Sequence, residues 1–298
     1  MSDKLNNKEE NFFATSKDED IYMRNNIREN EEHELKNCPL CSSFKKKIYL
    51  KFEKYYYVKC KNCGIVYQEL QPKFEHLKNR YDEKYFEYEI KNHQNFHHLQ
   101  RLTLKDIDFE NRFAPLEGKK ILDIGSATGL LLRYFKDLKM QELGIEVCKE
   151  SAEFAKKNFD VNVINDTLEN AKLPDNYFDI IHFSHLIEHL KDPKEFLKEV
   201  RRILIPGGSI IVTTPRLDSP AFYLYTKDWR SAIPDHLVLF TKKTLIKILK
   251  EVGFEPYFQE SWGFIPVGFK LKKFKSFMDI FVKRFNLGDV MCVVAKKI

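Results

Sequence analysis

The sequence predicts an α/β fold built on an open, mainly parallel sheet. From about residue 118 onward, strand-like and helix-like segments alternate, which is typical of βαβ units. A turn of small residues follows the first of these strands, between Gly125 and Gly129. Two Cys-x2-Cys pairs precede this region and predict a small metal-stabilised ribbon. We therefore expect one α/β domain with a ribbon in front of it.

Composition excludes several other classes of protein. A length of 298 residues suits one mid-sized domain with a small appendage. With 43% hydrophobic and 14% aromatic residues, the chain can bury a substantial core, which excludes a wholly disordered or fibrous protein. No apolar run approaches the roughly 18 residues of a membrane span, and the N-terminus carries no apolar signal segment. We therefore expect a cytoplasmic protein.

The first predicted segment, residues 1–36, is an acidic tail. It carries six basic and ten acidic side chains and few aliphatic ones, so we expect it to be solvated and disordered. The rest of the chain then has a net charge of +10, although the whole chain has only +6. The modest overall charge therefore hides an acidic tail and a moderately basic body.

The second segment, residues 37–70, contains the four clustered cysteines. Cys38 and Cys41 form one pair, Cys60 and Cys63 form the other, and the spacer is long enough for a hairpin that brings them together. Four thiolates in this spacing predict a structural zinc site with no open position for catalysis. The alternative is four unrelated free thiols. The remaining cysteines, Cys148 and Cys292, stand alone, and we interpret them as core residues.

Residues 71–112 form the third segment, a polar helical connector with a group of aromatic residues near its start. Residues 113–298 follow as the α/β domain. Its first strand ends at Asp123, and a second strand-like run ends at Glu146. Small residues that let the backbone approach a ligand, followed by a carboxylate at the end of the next strand, are typical of a nucleotide site. A dinucleotide fingerprint would need glycines where the chain has Ala127 and Leu130, and no P-loop pattern occurs.

This loop resembles the first motif, DxGxGxG, of the class I S-adenosylmethionine-dependent methyltransferases; Ala127 replaces the middle glycine. The resemblance extends over residues 113–298, through a Pro-Gly-Gly turn before the fifth strand and an apolar final strand. It implies a Rossmann-like, seven-stranded sheet whose last strand runs antiparallel to the others. The cysteine ribbon and the YDEKYFE run extend the resemblance to a bacterial branch that carries the same ribbon.

The resemblance also implies which residues bind S-adenosylmethionine. Asp123 would hold the loop or the amino group of the methionine moiety, Glu146 the ribose, and Asp166 with Leu168 would border the adenine. The full implied set is Asp123, Gly125, Ser126, Ala127, Gly129, Glu146, Asp166, Thr167 and Leu168. Structural alternatives stay open, since Asp123 could cap the following helix and Leu168 could belong to the core.

Three histidines are candidates for the catalytic side. His185 and His189 follow the fourth strand, where parallel sheets present their ligand crevice, and His236 follows a Pro-Asp pair later in the chain. An imidazole near neutral pH suits a general base, if the acceptor must lose a proton. The alternative for His189 is a structural role in shaping the turn.

Two further segments could serve substrates. Residues 217–233 look like an inserted loop, whose aromatics, including Trp229, could stack on an acceptor or only seal the crevice. Residues 269–285 place phenylalanines at near-helical spacing opposite lysines. We interpret this stretch as a cover helix between the last two strands, with peripheral contact to an anionic membrane surface as the alternative.

The function that these features favour is methyl transfer to a small-molecule acceptor, with zinc as a structural metal. The resemblance suggests O-methylation of a glycan, a nucleotide sugar or a lipid-linked metabolite. A second hypothesis is an RNA methyltransferase that uses the ribbon to hold its substrate, but no Asn-Pro-Pro-Tyr motif occurs. A third is a zinc-stabilised, non-catalytic binding module with a degenerate pocket, against which the intact loop and Glu146 argue.

Overall fold

The computed structural model describes residues 33–263 and 280–298. In chain order, the N-terminal elements are strands β1 (His33–Leu35), β2 (Lys46–Lys51), β3 (Tyr56–Cys60), β4 (Val66–Gln68) and β5 (Leu70–Pro72), then helices α1 (Phe74–Lys78), α2 (Glu83–Asp106) and α3 (Phe109–Arg112). The predicted connector, residues 71–112, thus consists largely of helices α1, α2 and α3. Among the described helices, none is long and apolar enough to cross a membrane.

The α/β region alternates strands and helices as its sequence pattern indicates. Its elements are β6 (Lys120–Ile124), α4 (Leu130–Asp137), β7 (Gln141–Ile145), α5 (Lys149–Phe159), β8 (Val163–Ile164), β9 (Phe178–Ser184), α6 (Pro193–Ile203), β10 (Leu204–Pro215), α7 (Pro220–Tyr225), β11 (Val238–Leu239), α8 (Lys242–Val252), β12 (Phe254–Trp262) and β13 (Val290–Lys297). Short 3₁₀ turns at Ile187–His189 and Thr226–Asp228 complete it.

Seven of these strands form the main sheet, in the order β12-β13-β10-β9-β6-β7-β8. Strands β6 to β10 pair in parallel, and β13 runs antiparallel to both of its neighbours, β10 and β12. The predicted seven-stranded sheet with an antiparallel last strand is therefore confirmed. The parallel strands place their carboxyl ends, and the loops that follow them, along one edge.

Local sequence explains the individual elements. Strand β9 is almost continuously apolar because helices cover both of its faces. Helix α8 begins with a capping box between Thr241 and Thr244 and ends at Gly253, whose φ of 92° suits glycine. Helices α6 and α8 bury their apolar sides in the main core on one face of the sheet. The end of α2 and the start of α3 pack on the other face with α4.

The ribbon is joined to the α/β region by backbone pairing. Strands β2, β3 and β4 form an antiparallel meander, and β11 from the α/β region adds the fourth strand beside β4. Ribbon residues Cys38 and Tyr67 belong to the same hydrophobic core as Phe183 and Val238. The predicted division at residue 70 therefore marks a change of pattern along the chain, while the packing is continuous.

One predicted boundary is wrong. We expected a disordered tail over residues 1–36, but His33–Leu35 forms strand β1, paired antiparallel with β5. The backbone of Lys36 continues this pairing by donating to the carbonyl of Glu69. Side-chain ion pairs from Lys191 to Glu34 add to it. Backbone pairing with β5 thus overrides the polar composition here. The rest of the predicted tail lies outside the described residues.

Candidate functional site

The glycine-containing loop lies at the carboxyl end of β6. The backbone N–H groups of Gly125 and Ser126 donate to the carbonyl of Ile145 at 2.8 and 3.1 Å, which ties the loop to the neighbouring strand β7. Gly129 adopts φ 81°, and a Cβ atom there would lie 2.6 Å from the Cβ of Ala155. Only glycine fits this position. Ala127 also has a positive φ, 48°, so the alanine accepts the conformation that the motif's middle glycine would adopt.

The sequence left open that Asp123 caps the following helix, but no side chain caps that helix. Its side chain is 1% exposed, and Oδ1 lies 2.7 Å from Nδ1 of His182, the residue opposite it in the β6–β9 register. The second oxygen, Oδ2, is buried and has no partner among the described residues, and the same is true of Oγ of Ser126. Such buried polar atoms are costly unless a ligand completes their hydrogen bonds.

Sequence reasoning missed His182, although a signal for it exists. The segment FDIIHFS is otherwise apolar at its centre, so a histidine in the middle of a buried strand needs a polar partner. Because β9 is the spatial neighbour of β6, that partner is the aspartate of the loop motif. The imidazole fixes the Asp123 carboxyl group so that one oxygen remains free for the crevice.

Glu146 lies where the nucleotide pattern predicts it, one residue after β7. The side chain is 5% exposed; Oε2 accepts the N–H of Ala127 at 2.9 Å and Oε1 accepts that of Cys148 at 2.8 Å. Burial raises the pKa of this carboxyl, while the two backbone hydrogen bonds lower it. A carboxylate has about four lone-pair positions, so Glu146 retains acceptor capacity for a diol.

A second buried carboxyl, Glu89 on helix α2, stands beside this one and was not predicted. It is 5% exposed, accepts a hydrogen bond from the Ser151 hydroxyl, and has its pKa raised to about 8 by burial and by the charge of Glu146. The rings of Tyr81 and Tyr85 pack edge to face at 4.9 Å next to it. The connector therefore places a carboxyl and two phenols beside Glu146.

The three predicted site residues in the turn after β8, Asp166, Thr167 and Leu168, have different surroundings. Asp166 accepts hydrogen bonds through Oδ1 from the backbone of Thr167 at 2.7 Å and from the side chain of Asn170 at 2.9 Å, so it shapes its own turn. Leu168 is 3% exposed and lies in the main core, which agrees with the alternative interpretation of it as a core residue. Asp166 and Thr167 are the polar members of this group.

The three candidate histidines, predicted from two distant segments, lie around one carboxylate. Glu188 is 1% exposed; it accepts from Thr214 Oγ1 at 2.9 Å, lies 3.2 Å from His185 Nδ1 and is 4.0 Å from His236 Nε2. The rings of His189 and His236 meet edge to face at 4.7 Å. Leu186, two residues before Glu188, lies 3.8 Å from the position that a Cβ atom on Gly125 would take. This histidine cluster is thus next to the loop.

Hydrogen bonds fix the orientation of the cluster. Nδ1 of His236 is 2.8 Å from the carbonyl of Ser231, so it carries the proton and Nε2 faces Glu188. Burial would raise the pKa of Glu188, but the hydrogen bond from His185 and the other imidazoles lower it to about 2. Burial lowers the pKa of His236 to about 4 and also lowers that of His189. The imidazoles of this cluster can take up a proton. The ligand atoms of Glu188, His189 and His236 also lie within 4.8 Å of one another, so these side chains could bind a divalent cation.

The four ribbon cysteines converge as their spacing predicts. The sulfur atoms of Cys38 and Cys63 are 3.3 Å apart, those of Cys41 and Cys60 are 3.6 Å apart, and all four lie within 4.8 Å of one another. Tetrahedral zinc with Zn–S bonds of about 2.3 Å needs sulfurs about 3.8 Å apart. The cluster therefore fits a closed, four-sulfur metal site.

The two lone cysteines are buried, as their interpretation as core residues requires. Cys148 and Cys292 are both 0% exposed. Burial raises the pKa of Cys148 to about 11 and that of Cys292 to about 12, so both thiols stay protonated at neutral pH. Neither has the thiolate character that a catalytic cysteine needs.

In the inserted segment 217–233 the buried aromatic residues pack on the ribbon, whereas Tyr223 is 66% exposed; a role of the segment in binding an acceptor stays a prediction. Trp229 is 1% exposed and packs edge to face on Phe222, with ring centroids 5.4 Å apart. Phe222 in turn stacks on the ribbon residue Tyr49 at 6.0 Å. These aromatics therefore fill the contact between the insertion and the ribbon, and Trp229 is not available for stacking on an acceptor.

The predicted cover helix at 269–285 lies mostly outside the described residues. Its last part is helical from Ile280, and Phe281 and Phe285 are 40% and 56% exposed. Its relation to a membrane surface stays a prediction.

Comparison with known families gives one domain match. The model of a family described as "Methyltransferase domain" matches residues 92–257, from helix α2 to strand β12. This stretch contains the glycine loop, Glu146 and the histidine cluster, and it ends before β13.

Individual relatives and solved structures agree with this match. A ubiquinone biosynthesis O-methyltransferase of Proteus mirabilis is 28% identical over 135 residues, which are 43% of this chain and 54% of that enzyme. An uncharacterized protein of Methanocaldococcus jannaschii is 30% identical over 135 residues, 45% of this chain and 63% of that protein. The chain thus spans little more than half the length of these relatives.

Two crystal structures share the fold. A SAM-dependent methyltransferase of Thermotoga maritima superposes with a TM-score of 0.53 at 24% identity, covering 72% of this chain and 98% of that one. One from Archaeoglobus fulgidus gives a TM-score of 0.52 at 21% identity, with coverages of 72% and 99%. At this identity the likeness concerns the fold.

Proposed function

The chain belongs to the class I S-adenosylmethionine-dependent methyltransferases, and from that premise we propose that it transfers the methyl group to an oxygen of a small-molecule acceptor. The acceptor class that we propose is a glycan, a nucleotide sugar or a lipid-linked metabolite. Relatives named as ubiquinone O-methyltransferases support transfer to oxygen. Their partial coverage is the reason why the acceptor is a proposal.

One observation carries the cofactor assignment: the glycine loop is lined by acceptor atoms that the protein leaves free. Asp123 Oδ2 and Ser126 Oγ have no partner among the described residues, and Glu146 has unused lone pairs. An amino acid ammonium needs acceptors, and a ribose needs an acceptor for two hydroxyls. Asp123 and Ser126 would hold the methionine end, Glu146 the ribose, and Asp166 with Thr167 the adenine side.

The remaining residues of the predicted set act through the backbone. Gly129 lets the loop lie close to α5, and Gly125 and Ala127 hold the positive φ angles of its turn. When bound, S-adenosylmethionine would supply a methyl group on a cationic sulfonium, whose carbon–sulfur electron pair stays with the departing sulfur when the acceptor oxygen bonds to the methyl carbon. The loop fixes one reactant, and such positioning can supply roughly 7–11 kcal/mol of the barrier reduction.

The histidine cluster would receive the acceptor. His185 is exposed, while Glu188 and His236 are buried behind it, so a hydroxyl entering from solvent meets an imidazole first. We propose His189 as the residue that faces the acceptor, with His185 and His236 as the other candidates. Glu188 stays charged, accepts a hydrogen bond from the Thr214 hydroxyl and orients the imidazole of His185. In this arrangement an imidazole takes the hydroxyl proton as the oxygen attacks.

The ribbon cysteines would hold one structural zinc ion. All four ligands come from the protein, so the ion would have no open position and would stabilise the fold of the ribbon. We predict close to one zinc per chain, lost on Cys38→Ser, by metal analysis of the purified protein. The matched control is Cys148→Ser, which should keep the metal. A folded wild-type chain without metal would contradict the zinc assignment.

Isothermal calorimetry with S-adenosylmethionine tests the proposed function. We expect one binding event per chain in the folded, zinc-loaded protein, followed by methyl transfer to members of a panel of sugar, nucleotide-sugar and lipid-linked hydroxyl compounds. A folded, zinc-loaded chain that does not bind S-adenosylmethionine would refute the enzyme assignment. Strong, salt-dependent retention of RNA would favour an RNA acceptor over a small molecule.

A further inference from the structure

The ribbon and the histidine cluster are linked by the segment that carries His236. Residues 232–236 run along the ribbon, and the chain then continues directly into β11, a strand of the ribbon sheet. Val238 is opposite Tyr67 and Leu239 is opposite Val66, and the backbone N–H of Gln68 donates to the carbonyl of Leu237 at 2.8 Å. The position of His236 along the chain is therefore tied to strand β4.

Ribbon side chains also hold the backbone before β11. The Tyr55 hydroxyl donates to the carbonyl of Ala232 at 2.7 Å. The Tyr57 hydroxyl lies 2.8 Å from the carbonyl of Ile233 and 2.9 Å from that of His236. The Gln68 amide reaches the carbonyls of Pro234 and His236 at 2.7 and 3.0 Å. Thus three ribbon side chains bind four carbonyls within five consecutive residues.

These contacts are deeply buried. Tyr57 is 0% exposed and Gln68 is 3% exposed, and a buried amide or phenol is costly unless it is hydrogen-bonded. Both side chains direct their polar atoms at the same short stretch of backbone. From the connector, Arg80 adds an ion pair to Asp235, the residue before His236. The loop is therefore fixed from two sides, at the residues that determine where the His236 ring points.

We propose that the ribbon is the positioning element of the acceptor site, and that Tyr57 and Gln68 are positioning residues that set His236 against His189 and Glu188. This inference rests on the proposed function and deepens it by giving the ribbon a role in catalysis. The cofactor loop takes its hydrogen bonds from β7 and Glu146. Disturbing the ribbon contact therefore changes the acceptor side and leaves cofactor binding intact.

The ribbon provides a matched control. Tyr67 lies on β4 next to Gln68 and is as buried as Tyr57, but its hydroxyl has no hydrogen-bond partner in the described part of the chain. Tyr57→Phe and Tyr67→Phe therefore each remove one buried hydroxyl from the same sheet. Only the first removes a contact with the loop of His236. Gln68→Met provides a second, independent disruption of that contact.

The experiment compares the three variants in the full, zinc-loaded chain. The probe is the ring signal of His236 in a carbon–proton NMR spectrum, because the nearby His189 ring affects it, together with amide hydrogen exchange over 231–237. We expect Tyr57→Phe and Gln68→Met to shift the His236 signal and speed exchange, while S-adenosylmethionine affinity stays within about twofold of wild type. Turnover with any accepted substrate should fall about tenfold, since small misplacements at a reacting centre are costly.

Each outcome is decisive. If Tyr57→Phe and Gln68→Met leave the His236 signal and turnover like those of Tyr67→Phe, the positioning role is wrong. If all three variants lose S-adenosylmethionine affinity equally, the ribbon acts on stability alone and the inference also fails. A wild-type chain that does not bind S-adenosylmethionine would refute the proposed function, whereas a selective response of the His236 signal would still stand as evidence for the contact.

Discussion

The two sides of the crevice are built in different ways. On the proposed cofactor side, the loop after β6, its anchor Glu146 and the partner His182 come from three adjacent parallel strands of one sheet. On the proposed acceptor side, the contacts that hold His236 join ribbon and α/β residues separated by 166 to 179 positions along the chain. The proposed cofactor contacts thus belong to the repeated βαβ part of the fold. The acceptor side is assembled from distant segments, which can change without disturbing that part.

Histidine replacement should give the largest effect and should be confined to the acceptor side. We expect His189→Ala to bind S-adenosylmethionine like wild type and to lower turnover of an accepted substrate by roughly a hundredfold or more, the usual contribution of a positioned acid or base. Steady-state kinetics and calorimetry measure the two quantities. The exposed His33 offers a control, His33→Ala, that should change neither. A variant with wild-type turnover would remove His189 from the site and weaken the division between the two sides.

The converse change, on the cofactor side, should reduce binding. Glu146→Ala removes the proposed ribose ligand and the acceptor for the Ala127 and Cys148 N–H groups. Hydrogen bonds to charged groups contribute about 1.5–3 kcal/mol, so we expect affinity for S-adenosylmethionine to fall by roughly tenfold to 150-fold in calorimetry. Glu142→Ala is the matched control, since Glu142 lies on the same strand and contacts Asn162. Equal losses in both variants would mean that Glu146 acts only through the fold of β7.

The smallest effect concerns Glu89, which links the connector to the cofactor side. Its pKa is raised to about 8 by burial and by Glu146, so the folded state keeps a proton that the unfolded chain releases above about 4.5. The free energy of unfolding should therefore decrease as pH rises between about 4.5 and 8. Glu89→Gln should remove most of this decrease, as measured by denaturant unfolding across that range.

The control for this pH effect lies two residues before Glu89 on α2. Glu87 is exposed on the same helix, and Glu87→Gln should keep the wild-type dependence of stability on pH. If Glu89→Gln also kept it, another group would account for the pH dependence. The result matters for the comparison of the two sides, because it shows whether the connector is coupled to Glu146.

Much of the cofactor side was predictable because its signals are local. The small residues of the loop, the carboxylate after the next strand and the order of strands and helices follow from spacing within one or two elements. The two Cys-x2-Cys pairs are likewise local, and each fixes two ligands within one turn. Leu168 shows the limit, since spacing alone does not distinguish a ligand contact from a core residue, and its place beside the adenine stays a prediction.

The α/β class, the loop at Gly125–Gly129 and the convergence of the four cysteines were predictable from the sequence, because each depends on spacing within one or two neighbouring elements. The order of the strands in the sheet, the support of Asp123 by His182, the packing of Trp229 with the ribbon and the hold of Tyr57 and Gln68 on the backbone of His236 came from the tertiary structure. Those contacts join segments far apart in sequence. They depend on how whole elements pack, which periodicity and spacing do not encode.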